Sequence, residues 1–187
     1  MKKIYLLVII GFIFSSCFFS SSLNFSQSDI QDKENILFNG DFSENRDSSD
    51  FPKGWLLLNT EDEESLINNT SGHLEITSTN HKISLISDSF PIDYRGAHLT
   101  IGKFRAKTEI NKEIQLLLLT FDQHGKKTNT FKVSKKIEKD WQNIMISSAY
   151  YKNVAKFARV LIILPESSKG NSFLLENFGC YEIYKFK

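Results

Sequence analysis

Ile114-Gln-Leu-Leu-Leu-Leu-Thr-Phe121 is apolar on both parities and lacks the three-to-four-residue spacing of an amphipathic helix. Ala158-Arg-Val-Leu-Ile-Ile-Leu164 has the same character. Short unbroken apolar runs of this kind read as central strands, covered on both faces or curved around a core. Around them the pattern is alternation. Leu74 and Ile76 share one side of His73-Leu-Glu-Ile-Thr77, and Ile83 and Leu85 repeat the pattern, as expected where one face meets the core and the other meets water. Leu99 and Ile101 share a face while Phe104 and Ala106 take the opposite parity, which requires either a bulge near Gly102 or burial that switches sides there, and the bulge is the expected one. Further strands are expected at Trp55 to Asn59, Thr128 to Val133, Trp141 to Ser147 and Phe173 to Tyr184. Turn signals stand at Asn39-Gly40, Pro52-Lys53-Gly54, His124-Gly125 and Ser168-Lys169-Gly170. About ten strands joined by short polar turns define an all-β, two-sheet antiparallel sandwich. No internal repeat is visible.

The N-terminus has a different organisation. Lys2 and Lys3 precede an apolar run from Ile4 to Phe14, which ends in Ser15-Ser16-Cys17. A cationic start, a short apolar stretch and small residues at the cleavage point are the parts of an export signal over residues 1–16. The segment resembles a bacterial lipoprotein signal, which implies a lipid on Cys17, although Phe14 stands where Leu is usual. The alternative is an uncleaved anchor, but a spanning helix needs roughly 20 apolar residues. Residues 17–34 are serine-rich and polar without a sustained period, the composition of a flexible tether. The expected location is therefore the cell envelope, with the domain of residues 35–187 held to a membrane, at the outer membrane or cell surface, by its N-terminal lipid.

Sixteen Phe, six Tyr and two Trp supply ample apolar area for one domain with a real core. With Lys2 and Lys3 removed, acidic side chains outnumber basic ones by one, which argues against nucleic acid as a partner. The pairs Lys126-Lys127 and Lys135-Lys136, and the acidic run Glu61 to Glu64, read as solvated turns. Once Cys17 is acylated, Cys180 is the only thiol left, so no intrachain disulfide can form. Its apolar surroundings near Phe178 mark it as a small buried hydrophobe.

Several short segments then matter together: Asn35-Ile-Leu-Phe-Asn-Gly-Asp-Phe42, Phe51-Pro-Lys-Gly-Trp55, Trp141-Gln142 and Leu174-Leu-Glu-Asn-Phe178. In order and spacing they resemble the galactose-binding-like jelly roll of the family 4/9 carbohydrate-binding modules. The resemblance covers essentially residues 35–185. It implies that the first and last strands meet, and that a structural calcium sits at their junction. Carried over, its ligands are Asp41 and Glu176, a hard cation needing several oxygens at once. Ser43 stands where the family usually has Glu, and Glu176 where Asp is usual. The alternative is a metal-free junction held by side-chain hydrogen bonds.

Modules of this kind bind sugars by laying aromatic rings against pyranose faces while polar groups bond the hydroxyls. Trp55, Tyr94, Tyr150 and Tyr151 are the aromatics in loop-like settings, and an extended chain lets only one of the Tyr150-Tyr151 pair face a ligand. Trp55 and Trp141 also fit packing positions. No Gly-x-Ser-x-Gly elbow, phosphate loop or zinc helix motif occurs, and His73, His81, His98 and His124 are scattered singly. The expectation is a lipid-anchored, non-catalytic envelope module that binds glycan. Its alternative is a protein-binding or structural lipoprotein on the same fold, an adhesin or assembly subunit. A glycan binder should present a concave face with exposed rings beside polar groups, and a protein binder a flatter apolar patch.

Overall fold

A computed structural model of the chain describes residues 26–47, 49–58, 67–70, 72–77, 80–93, 98–148, 154–167 and 171–184. Among them are eleven strands: β1 Trp55–Leu57, β2 Ile67–Thr70, β3 His73–Thr77, β4 Ile83–Ser87, β5 Phe90–Pro91, β6 His98–Thr108, β7 Lys112–Phe121, β8 Lys127–Ile137, β9 Gln142–Ser147, β10 Phe157–Leu164 and β11 Ser172–Tyr184. One sheet has the order β1-β4-β10-β7-β8, with β5 paired to β10 at its side; the other has the order β2-β3-β11-β6-β9. Every pairing is antiparallel. The result is the two-sheet sandwich that the apolar pattern predicts. No helix among the described residues is long and apolar enough to cross a membrane.

Period-two burial builds the core between the sheets. Ile114, Leu116 and Leu118 of β7, and Ala158, Val160, Ile162 and Leu164 of β10, point inward and are buried. β10 is the middle strand of its sheet and β7 lies beside it, as the two apolar runs predict. Their second faces differ from expectation: Leu117, Leu119, Leu161 and Ile163 are half-buried, so the outer side is only partly covered. Strands β2 and β5 were not legible in the sequence, since Ile67-Asn-Asn-Thr70 carries a single apolar residue and β5 has two residues.

The predicted bulge near Gly102 is also corrected. β6 pairs with β9 from Ile101 to Ala106 without interruption, and the irregularity lies on β11, between Glu176 and Gly179. There Asn177 takes φ 55°, a left-handed conformation that Asn tolerates better than most residues. The bulge turns Phe178 into the core, where its ring stacks on Phe104 at 4.4 Å and 7°. Phe42 and Trp55 complete the cluster, with centroids 5.3 and 5.2 Å from Phe178 and tilted or edge-on contacts of the kind aromatic rings prefer.

The opening segment is fastened to this bulge. Asn35 donates from Nδ2 to the Phe178 carbonyl at 3.0 Å, while its Oδ1 accepts the amides of Leu37 and Cys180 at 3.0 and 2.9 Å. Phe178 N–H donates to the Gly40 carbonyl at 2.8 Å, and a Cβ on Gly40 would collide with the Phe178 carbonyl oxygen, so only glycine lets the backbones approach. Asn39, in a left-handed conformation at φ 49°, donates to the carbonyls of Glu44 and Lys53 at 2.7 Å each. These bonds hold the loop that delivers Trp55. The last residues of the expected tether carry structure too: Gln27–Asp29 form one 3-10 turn behind a Ser26/Asp29 capping box, and Ile30 is buried.

Candidate functional site

The outward side of the β1-β4-β10-β7-β8 sheet follows from its register. Leu56, Ile86, Leu161, Leu117 and Lys132 stand at successive paired positions across its five strands. Each alternates with an inward core residue, so these side chains share the outward side, where Leu56 and Lys132 are exposed, Leu117 and Leu161 half-buried and Ile86 buried. Next along the sheet, Arg159 stands opposite Leu119, and beyond it Phe157 is paired directly with Phe121. A cleft of about 350 Å³ opens here, lined by Ile86, Ser89, Phe121, Gly125, Phe157 and Arg159. Phe157 remains 40% exposed, an unusual fraction for a large ring, so a ligand entering the cleft meets an available aromatic surface.

The hairpin between β7 and β8 forms one wall. Asp122 Oδ1 accepts the backbone amides of His124 and Lys126, each at 2.9 Å, and Gly125 turns the chain at φ 76°. The amide of Lys126 is the main cause that holds the Asp122 carboxyl below the ordinary carboxylate range. Among the described residues that line the cleft, those with polar side chains are Ser89 and Arg159. Arg159 forms no hydrogen bond or ion pair with a described residue.

Trp55 was expected to contact ligand, and the structure corrects this. Its ring is wholly buried, its indole N–H donates to the Asn39 carbonyl at 3.2 Å, and it packs on Phe42 and Phe178. A ring with no exposed face belongs to the core. Tyr94, Tyr150, Tyr151 and Cys17 lie outside the described residues. Trp141 is half-buried on the other sheet, with the Arg105 and Lys107 cations 5.3 and 4.9 Å from its centroid.

The two carboxylates expected to hold calcium are not brought together around one point. Glu176 Oε1 is 2.6 Å from Arg105 Nη1, on the outer side of the second sheet. Asp41 Oδ1 accepts the amide and hydroxyl of Ser43 at 3.2 and 2.9 Å. A cation beside Glu176 would face the Arg105 guanidinium, and the Asn35 oxygen at the strand junction already accepts two amides. No group of three or more His, Cys, Asp or Glu converges among the described residues. Glu176 thus engages Arg105, while Asp41 lines a polar pocket at the strand junction together with Asn35, Asn39 and Asn177.

Phe121, Phe157, Arg159 and Ser89 were not singled out from sequence. One signal was available: Arg159 is the single charge inside the second apolar run. That Phe157 meets Phe121 depends on the register of two strands far apart in the chain.

No family model matches the chain, and no curated protein matches it. Solved structures do. A family 4 carbohydrate-binding module shares the fold at TM-score 0.57 and 19% identity, covering 78% of this chain and 99% of that one. A family 11 module from Clostridium thermocellum, in complex with a β-1,3-1,4-mixed-linked tetrasaccharide, aligns at TM-score 0.51 and 15% identity over 75% of this chain and 92% of that one. An agarase matches at TM-score 0.53 and 16% identity; the alignment covers 79% of this chain and 26% of the enzyme. At such identities the likeness is one of fold: the chain has the jelly-roll sandwich of carbohydrate-binding modules.

Proposed function

We propose that this protein is a non-catalytic glycan-binding module, held at the cell envelope by a lipid on Cys17. The observation that carries the reading is the paired Phe121 and Phe157 beside Ser89 and Arg159 in an open cleft. Pyranose rings present an apolar face and a rim of hydroxyls, and an aromatic pair flanked by a hydroxyl and a guanidinium offers a partner to each. The likeness of fold to a module captured with a tetrasaccharide supports the same reading. Phe157→Ala in the full-length protein should weaken oligosaccharide binding about tenfold or more in calorimetry, with the melting temperature nearly retained because the ring is substantially exposed. Equal binding by the variant and the wild type would remove the cleft from this role.

One observation favours a second reading. Leu56, Leu161 and Leu117 stand in one aliphatic row across the sheet, Leu56 41% exposed and Leu161 and Leu117 half-buried, with the buried Ile86 between them. Such a row suits a protein partner, as the interior of an interface does. Leu56→Asp and Leu117→Asp separate the two: loss of an envelope protein from pull-downs with glycan binding retained would favour the protein partner.

A further inference from the structure

We infer that the cleft prefers glycans bearing an acidic sugar, and that Arg159 is the group that selects them. The inference rests on the glycan-binding reading and adds a charge requirement to it. Arg159 projects from the middle of an otherwise apolar strand, flanked on its own face by Phe157 and Leu161 and across the sheet by Leu119. It is half-buried in this setting, and no described residue accepts a hydrogen bond from it. Asp88, which follows β4 where the register would continue towards Arg159, makes no ion pair with it. A partly desolvated guanidinium without a carboxylate has a planar fork of donors to offer, and a carboxylate or sulfate matches it two bonds at a time.

The outward positions of the strands themselves lean the same way, with the carboxylates of Asp88 and Asp122 lying in the adjoining turns. Among the described residues, the outward positions of β1, β4, β7, β8 and β10 carry one carboxylate, Glu113, which stands opposite Lys136 at the far end of the sheet. Lys132 ends the aliphatic row on β8, exposed and without a hydrogen-bond acceptor among the described residues. Two strands and two residues separate Lys132 from Arg159, roughly 12 Å between Cα positions. One oligosaccharide can reach both cations. Phe121 and Phe157 then serve the apolar face of the ring whose acid group Arg159 holds.

The test uses full-length protein and three probes: an oligogalacturonate, a sulfated carrageenan oligosaccharide and a neutral β-1,3-1,4-glucan oligosaccharide. The wild type should bind at least one acidic probe about tenfold more tightly than the neutral one, and the preference should shrink as salt rises. Arg159→Ala should bring the acidic-to-neutral ratio close to one, and Arg159→Lys should restore part of it. Thermal melting checks that each variant is folded. If the wild type binds the neutral probe as well as the acidic ones, and Phe157→Ala weakens all three, the cleft binds glycan but the acid preference is overturned. If no glycan binds, the underlying reading fails as well. Binding only to anionic phosphatidylglycerol vesicles would replace both with a lipid-headgroup site.

Discussion

At the scale of single residues, Asn35 does more than its position near the start of the domain suggests. Three hydrogen bonds from one amide tie the opening segment to Phe178 and Cys180. Asn35→Ala leaves part-buried backbone groups without partners, so unfolding free energy should fall by about 2–3 kcal/mol in a denaturant titration. Asn35→Asp should recover part of that loss, because its oxygens accept the two amides but cannot donate to the Phe178 carbonyl. Cys180 is the corresponding chemical probe. It is fully buried, and burial pushes its thiol well above the usual range. The native protein should resist maleimide at Cys180 and react only once denaturant opens the sandwich; rapid native labelling would mean that the β6-β11 interior is not closed.

At the scale of elements, the β7-β8 hairpin links pH to the cleft. A carboxyl whose pKa is lowered by folding stabilises the folded state above its unfolded pKa, and that contribution is lost as pH falls through the lower folded value. For Asp122 the unfolded reference is 3.8, so the hairpin should stay intact at neutral pH and loosen only below that value. Following the amide signals of His124 and Lys126 during an acid titration should give a midpoint under 3.8, and Asp122→Asn should flatten the response. Strand placement was largely legible because burial on one face leaves a period of two in the sequence. Long β7, β10 and β11 announced themselves in this way; β2 and β5 did not, being too short or too polar to carry a pattern. The bulge was legible as an irregularity but assigned to the wrong strand. The parity change of β6 is visible in sequence, whereas the left-handed Asn177 that creates the register shift is visible only in the backbone. The cleft was less legible still. Its aromatic pair joins residues 36 positions apart through strand register, and local composition says nothing about register.

At the scale of the molecule, three of the four motifs that carried the family resemblance turn out to be parts of one device, Trp141-Gln142 standing apart from it. Phe42, Trp55 and Phe178 come from the opening segment, the following loop and the last strand, and their rings meet in one cluster. That cluster and the Asn35 bonds explain why these short patterns coexist: they close the sandwich, and the proposed cleft lies apart from them on the outer sheet side. The same separation explains why Trp55 is a poor guide to ligand: its ring belongs to the closing cluster. The proposed attachment to the membrane concerns the whole chain and is tested there. Cys17→Ala should abolish labelling by a lipid precursor and, if the export signal is cleaved, move the protein from the membrane fraction to the soluble one. Lipid labelling that persists in the variant would exclude Cys17 as the attachment point.

The bond between Asn35 and Cys180 spans 145 residues, and the aromatic cluster cannot assemble before Phe178 is present. A chain emerging from the ribosome therefore has this segment waiting for a strand made 145 residues later. Such late closure makes for slow folding. It also keeps the nascent polypeptide pliable until Phe178 has been made, the condition that the proposed export through a narrow translocation pore would require.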